Sequence, residues 1–291
     1  MNWRAAIPNA LTLGNLACGV LAIFVLSRYS KDFTYCYFSL GFICLGAMFD
    51  LLDGAVARSL KVESSLRTQL DSLADIVTFG VAPAFLLATA YLGILGTLFE
   101  KEPSIWLGAL MVLPLPLAAA FRLARFNVQG KSDKTYFEGL PSPAAGMLAT
   151  AQAYSFAWIG MALYLNKCYA EHLRQKEPEL SADGVESKVS APIQQELQVP
   201  FDNEAWLNEI NIMIVLTWVT TFLLALAMVS RWPFLSIKGS TREKLTLVAV
   251  FATGASLAWL TDFQPWVVLA TLALYAVVSR VLITPVRRAA Q

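Results

Sequence analysis

Runs of about twenty apolar residues decide what this chain can become, because a helix of that length spans the hydrocarbon core of a bilayer. Eight stretches meet or approach it: residues 8–27, 34–53, 69–95, 104–124, 143–165, 207–229, 245–261 and 266–284. The seventh is the shortest, and Pro83 predicts a kink in the third. Composition agrees, with 57% hydrophobic and 15% charged residues, against roughly 45–50% and about 25% in soluble domains. The expected fold is an all-α, polytopic integral membrane protein with about eight transmembrane helices.

Basic residues set the expected orientation. With the N-terminus in the cytoplasm, that side collects fifteen of the 22 lysines and arginines. Four of the remaining seven fall in one long polar loop, 166–206, which also holds eight acids and the only histidine, His172. That histidine reads as a solvated loop residue, and 178–200 as unstructured or a short surface helix. Both termini are then cytoplasmic, in the cell membrane. A net charge of +1 argues against a nucleic-acid partner. Cys18, Cys36, Cys44 and Cys168 fit neither a zinc spacing nor a disulfide framework. Residues 1–9 lack a small-residue cleavage site, so no signal peptide is expected.

Four aspartates stand out against this apolar background. Asp50 and Asp53 are three apart and Asp71 and Asp75 four apart, so each pair shares a helical face. Carboxylates at membrane depth need a positive partner, and a hard divalent cation is the simplest one. Solvated helix ends explain one or two such residues but rarely four. An ion or proton pathway, as in a cation-coupled secondary transporter, is a second reading. A metal site for phosphoryl chemistry is the third. Gly54 beside Asp53 allows close approach of a ligand, and Arg58 can grip a phosphate in a fork. A proton pathway needs neither.

Asp50-x-x-Asp53-Gly54-x-x-Ala57-Arg58, followed by Asp71-x-x-x-Asp75, resembles the signature of the CDP-alcohol phosphotransferases. One position departs: the pattern has glycine four residues before the third aspartate, where this chain has Arg67. Arg67 is expected either to crowd the nucleotide or to point toward lipid headgroups. The resemblance implies membrane enzymes that move a phosphatidyl group from a CDP-linked lipid to an alcohol and release CMP. It further implies that Asp50, Asp53, Asp71 and Asp75 bind two divalent cations, Mg²⁺ or Mn²⁺, with Asp75 also taking the proton of the attacking hydroxyl. Gly54, Ala57 and Arg58 would hold the CDP portion. Asn9 and Thr12 resemble the family's Asn-x-x-Thr nucleotide contact, with helix capping after Pro8 as the plainer alternative. Ser64 falls where a further nucleotide contact is expected.

Three more segments resemble the phosphatidylserine synthase branch of that family: Arg122-Leu-Ala-Arg125-Phe-Asn127, Phe137-Glu-Gly139-Leu-Pro141-Ser-Pro143, and the stretch Met228 to Lys238. They imply CDP-diacylglycerol and L-serine as substrates, with Arg125 meeting the serine carboxylate and Asn127 its ammonium group. Arg122 is expected to be a positive-inside anchor. Residues 1–240 then form the membrane domain, a six-helix catalytic core, and 241–291 an added C-terminal helical hairpin. The resemblance also implies a homodimer among membrane lipids. A sister enzyme using glycerol phosphate or inositol remains open.

Overall fold

The computed structural model describes residues 3–28, 33–60, 65–99, 104–129, 136–182, 204–235, 267 and 270–280. Its helices are α1 Trp3–Leu26, α2 Thr34–Leu60, α3 Ser65–Asp75, α4 Ala82–Phe99, α5 Ile105–Val112, α6 Pro114–Gln129, α7 Ser142–Ala182 and α8 Glu204–Val229. A further apolar helix, Ala270–Arg280, follows. The protein is a helical, multi-pass membrane protein. Five helical segments are long and apolar enough to span: Ala6–Leu26, Thr34–Leu60, Ser65–Leu98, Trp106–Val128 and Ile210–Val229. The eight expected spans are thus not all found among the described residues. The seventh lies outside them, and the described part of the eighth is too short to cross. Helix α7 carries the fifth, but Thr150, Gln152, Ser155 and two glycines dilute its apolarity.

Element ends differ from expectation in ways that matter for the site. Helix α2 runs on past Asp53 to Leu60, so Asp50, Asp53, Gly54, Ala57 and Arg58 share one continuous helix. Helix α7 continues through Ala182, so the first part of the expected 166–206 loop is helical. His172 and Cys168 are exposed on that helix rather than on a loop. At 1.5 Å per residue its 41 residues extend about 60 Å, twice the hydrocarbon thickness.

Two prolines shape the middle of the bundle. Pro83 lacks the N–H that an α-helix needs, and the chain widens just ahead of it into a π-helical segment, Ile76–Val81. Ala82 donates to the Val77 carbonyl across that wide turn, and α4 resumes. Pro114 likewise divides the fourth span into α5 and α6, hinged at Leu113.

Small residues let the helices close on the π segment. A Cβ at Gly19 (α1) or Gly46 (α2) would come within 2.6 Å of the Thr78 side chain. The Thr78 hydroxyl donates to the Asn15 carbonyl (3.0 Å). The buried core lies among α1, α2, α4, α6 and α7, with Phe79, Leu86, Leu87, Leu115 and Phe156 fully enclosed. One addition to the all-helical expectation is a short antiparallel ribbon, β1 Tyr136–Glu138 with β2 Pro233–Leu235, pairing Phe137 with Phe234. Phe234 meets Tyr275 at 5.2 Å between ring centroids, and the Arg280 guanidinium lies 4.8 Å over the Trp232 ring. The helix Ala270–Arg280 is therefore fastened to the ribbon.

A Cβ at Gly146 on α7 would sit 2.6 Å from the Phe79 carbonyl oxygen and 2.8 Å from its Cα, both backbone atoms of the π segment. Gly146→Ala is expected to destabilise the protein by about 1–3 kcal/mol through overpacking, read as a lower thermal midpoint in detergent. Gly41→Ala, where a Cβ meets nothing within 4 Å, is the neutral control.

Candidate active site

Chain direction brings the C-terminal half of α2, the whole of α3, the end of α6, the ribbon and the start of α7 to one end of the bundle. Helix α1 runs against both α2 and α3, and the acidic residues meet there. Ligand oxygens of Asp50, Asp53 and Asp71 all lie within 4.8 Å of one another. Asp53 is almost fully buried. Its Oδ2 accepts from Thr12 Oγ1 (2.6 Å), and its Oδ1 from Arg67 Nη2 (3.1 Å). The same Arg67 nitrogen also donates to the Asp53 carbonyl (2.9 Å). Arg67 thus takes neither course expected of it: it turns inward and grips an acid.

Asp75, the last residue of α3, is buried and within electrostatic reach of Asp50, Asp71 and Arg122. Its Oδ2 is 3.5 Å from Ser142 Oγ, and Ser142 in turn accepts from Arg122 Nη1 (3.1 Å). Arg122 is therefore no interfacial anchor: it is buried, and it links α6 to the first turn of α7. The signal was present in the sequence. Arg122 continues the face of Leu115, Ala118 and Ala119, all buried, and an arginine on an apolar face needs an acid nearby.

The remaining expected residues divide. Asn9 lies inside α1, one turn before Thr12, so it does not cap that helix. Gly54 and Arg58 are a turn apart on α2, and a Cβ at Gly54 would come 3.3 Å from Arg58 Nη1. Ala57 is buried between them. Ser64 lies outside the described residues. Asn127 Nδ2 donates to Ser72 Oγ (3.0 Å), beside Asp71, and lies 3.4 Å from Gln69 Oε1.

Arg125 was expected to meet a substrate carboxylate, but its guanidinium faces backbone. Nη1 donates to the Val229 carbonyl (2.7 Å), and Nη2 to those of Glu138 and Ser230 (both 3.1 Å). It ties the end of α8 to the turn that leads into α7. Gly139 occupies that turn with φ +84°, donates to the Trp232 carbonyl (2.9 Å), and leaves no space for a side chain beside the Met228 carbonyl.

Among the described residues, two carboxylate oxygens, Asp71 Oδ1 and Asp75 Oδ1, are buried without a hydrogen-bond partner. Orphaned anionic oxygens beside a three-carboxylate cluster fit a hard cation, whose ligands are oxygens. The residues present suit a divalent metal.

A sequence model of CDP-alcohol phosphatidyltransferase matches residues 5–172, more than half of the chain and all four aspartates. The chain belongs to the CDP-alcohol phosphatidyltransferase family. A CDP-diacylglycerol–serine O-phosphatidyltransferase of Bacillus subtilis is 36% identical over 157 residues, covering 54% of this chain and 80% of that protein. Relatives with the same name in Mycobacterium leprae and Methanocaldococcus jannaschii are 32% and 38% identical over 164 and 145 residues. Those two matches cover 52% and 49% of this chain, and 49% and 57% of the relatives' own lengths. The family match ends within α7, so α8, the ribbon's second strand and the helix Ala270–Arg280 lie beyond it.

Loss of the Arg125 guanidinium frees three carbonyls at once. Arg125→Ala is expected to cost about 2 kcal/mol, as for other charged donors. Arg125→Lys should recover only part of this, because an ammonium lacks the planar fork. Thermal unfolding of the two purified variants checks both expectations.

Proposed function

We propose that this chain transfers the phosphatidyl group of CDP-diacylglycerol to the hydroxyl of L-serine, giving phosphatidylserine and CMP. The observation that carries the proposal is the convergence of Asp50, Asp53, Asp71 and Asp75 with Gly54 and Arg58 at one end of the bundle. The names of the relatives supply the alcohol. The serine oxygen forms a new bond to the phosphorus that bears diacylglycerol, the P–O bond to CMP breaks, and the serine proton passes to Asp75. A general base has to be close to its proton and held in place. Asp75 is buried, and Ser142 at the start of α7, itself bonded by Arg122 of α6, holds it.

Two divalent cations, Mg²⁺ or Mn²⁺, on the four aspartates would neutralise the diphosphate and lower the pKa of the hydroxyl. Asn9, Thr12, Gly54, Ala57, Arg58 and Ser64 are assigned to the CDP-lipid. Arg58 is exposed at the bundle end, where a nucleotide arrives from water while acyl chains stay in lipid. Arg125 and Asn127 are assigned to the serine pocket. The three carbonyl contacts of Arg125 favour an indirect part for it, through the turn that presents Ser142.

Basic-residue placement supports a cytoplasmic site, both termini in the cytoplasm, and residence in the cell membrane. We retain 1–240 as the catalytic unit and 241–291 as an appended hairpin. A homodimer follows from the family resemblance alone.

Asp75→Asn is expected to abolish CMP release while CDP-diacylglycerol binding stays measurable; retained turnover removes Asp75 from the base role. With purified protein and CDP-diacylglycerol, serine should support CMP release, and glycerol phosphate and inositol should not. A preference for either of those would assign a sister activity. Flux driven by an ion gradient in liposomes, without need of CDP-lipid, would indicate a transporter.

A further inference from the structure

Arg67 stands where the family pattern has glycine, so the pattern assigns it no role. Its side chain is 15% exposed and that of Asp53 2%, which makes theirs a largely desolvated pair. With Thr12 on Oδ2 and Arg67 on Oδ1, both oxygens of Asp53 are already engaged by the protein. Asp71 and Asp75, by contrast, each keep a buried oxygen without a partner among the described residues. Arg67, drawn across from α3 to α2, thus supplies a guanidinium to the three clustered carboxylates, and Arg58 also lies within electrostatic reach of Asp53. Such clustering without a counter-charge would be strongly repulsive in a medium of low dielectric.

We propose that Arg67 is a built-in counter-cation of the acidic cluster, which a divalent metal must displace from Asp53 in order to bind there. Metal uptake is then an exchange of one cation for another. A metal at Asp53 would compete with Arg67 for the same carboxylate, and a guanidinium left in place would repel it. Arg67 lies in the first turn of α3, close to the aqueous end of the bundle. A long arginine side chain can swing its head outward from such a position while its stem stays on apolar surface. Without metal, Arg67 offsets part of the cluster's charge at Asp53; with metal, it is released. The proposal rests on reading Asp50, Asp53 and Asp71 as a metal site.

The test uses the full chain in detergent, with Mn²⁺ as the probe and Arg67→Gly and Arg67→Gln as variants. The glutamine variant keeps most of the side chain and removes the charge, so it stands in if the glycine variant does not fold. Bound Mn²⁺ is counted by electron paramagnetic resonance of the free ion, and stability is followed by thermal unfolding in EDTA and in saturating Mn²⁺. Both variants are expected to bind Mn²⁺ about tenfold tighter than the parent, the scale of one lost charge-assisted competitor. They should also melt below the parent in EDTA and regain most of that loss in Mn²⁺. Affinity equal to or weaker than the parent's overturns the counter-cation role while leaving the metal site standing. Absence of Mn²⁺ binding in all three proteins overturns the metal site as well.

Discussion

The arrangement depends on neutralising acid where water is scarce. Asp53 is enclosed by α1 and α2, and a bare carboxylate there would carry a desolvation cost of several kcal/mol. Thr12 from α1 and Arg67 from α3 offset it, one on each oxygen. Those two bonds also connect three helices at one point. The acid that a cation would use is thus the same group that aligns the first three helices.

A second connection repeats this pattern on the opposite side of the cluster. Asp75 meets Ser142 at the start of α7, and Arg122 closes the link from α6. Directly after Asp75 the backbone widens into the π segment, against which Gly146 of α7 packs without a side chain. The turn before Ser142 is held in turn by Arg125 and Gly139. The position of the proposed base therefore depends on residues far apart in the sequence, including the end of α8.

Much of this was legible in the sequence, for physical reasons. Apolar runs showed the helices, because bilayer thickness fixes their length. Spacing of three and four placed each aspartate pair on one face, and the glycine and arginine after Asp53 pointed to phosphate chemistry. What was not legible depended on where long side chains turn. Arg67, Arg122 and Arg125 are all basic residues near one end of the bundle, and charge counting treats them alike. In the structure the first grips an acid, the second is buried beside another, and the third holds backbone carbonyls. Element ends were also missed, because α2 and α7 remain helical well past the residues that lipid would cover.

Thr12, Asp53 and Arg67 occur in that order along the chain, within its first 67 residues. Synthesis proceeds from the N-terminus. The hydroxyl is thus in place before the acid enters the bilayer, and the guanidinium follows fourteen residues later. The pairing of Asp53 is complete within a single helical hairpin and the first turn of α3. The nascent protein needs no distant segment to give Asp53 both of its partners.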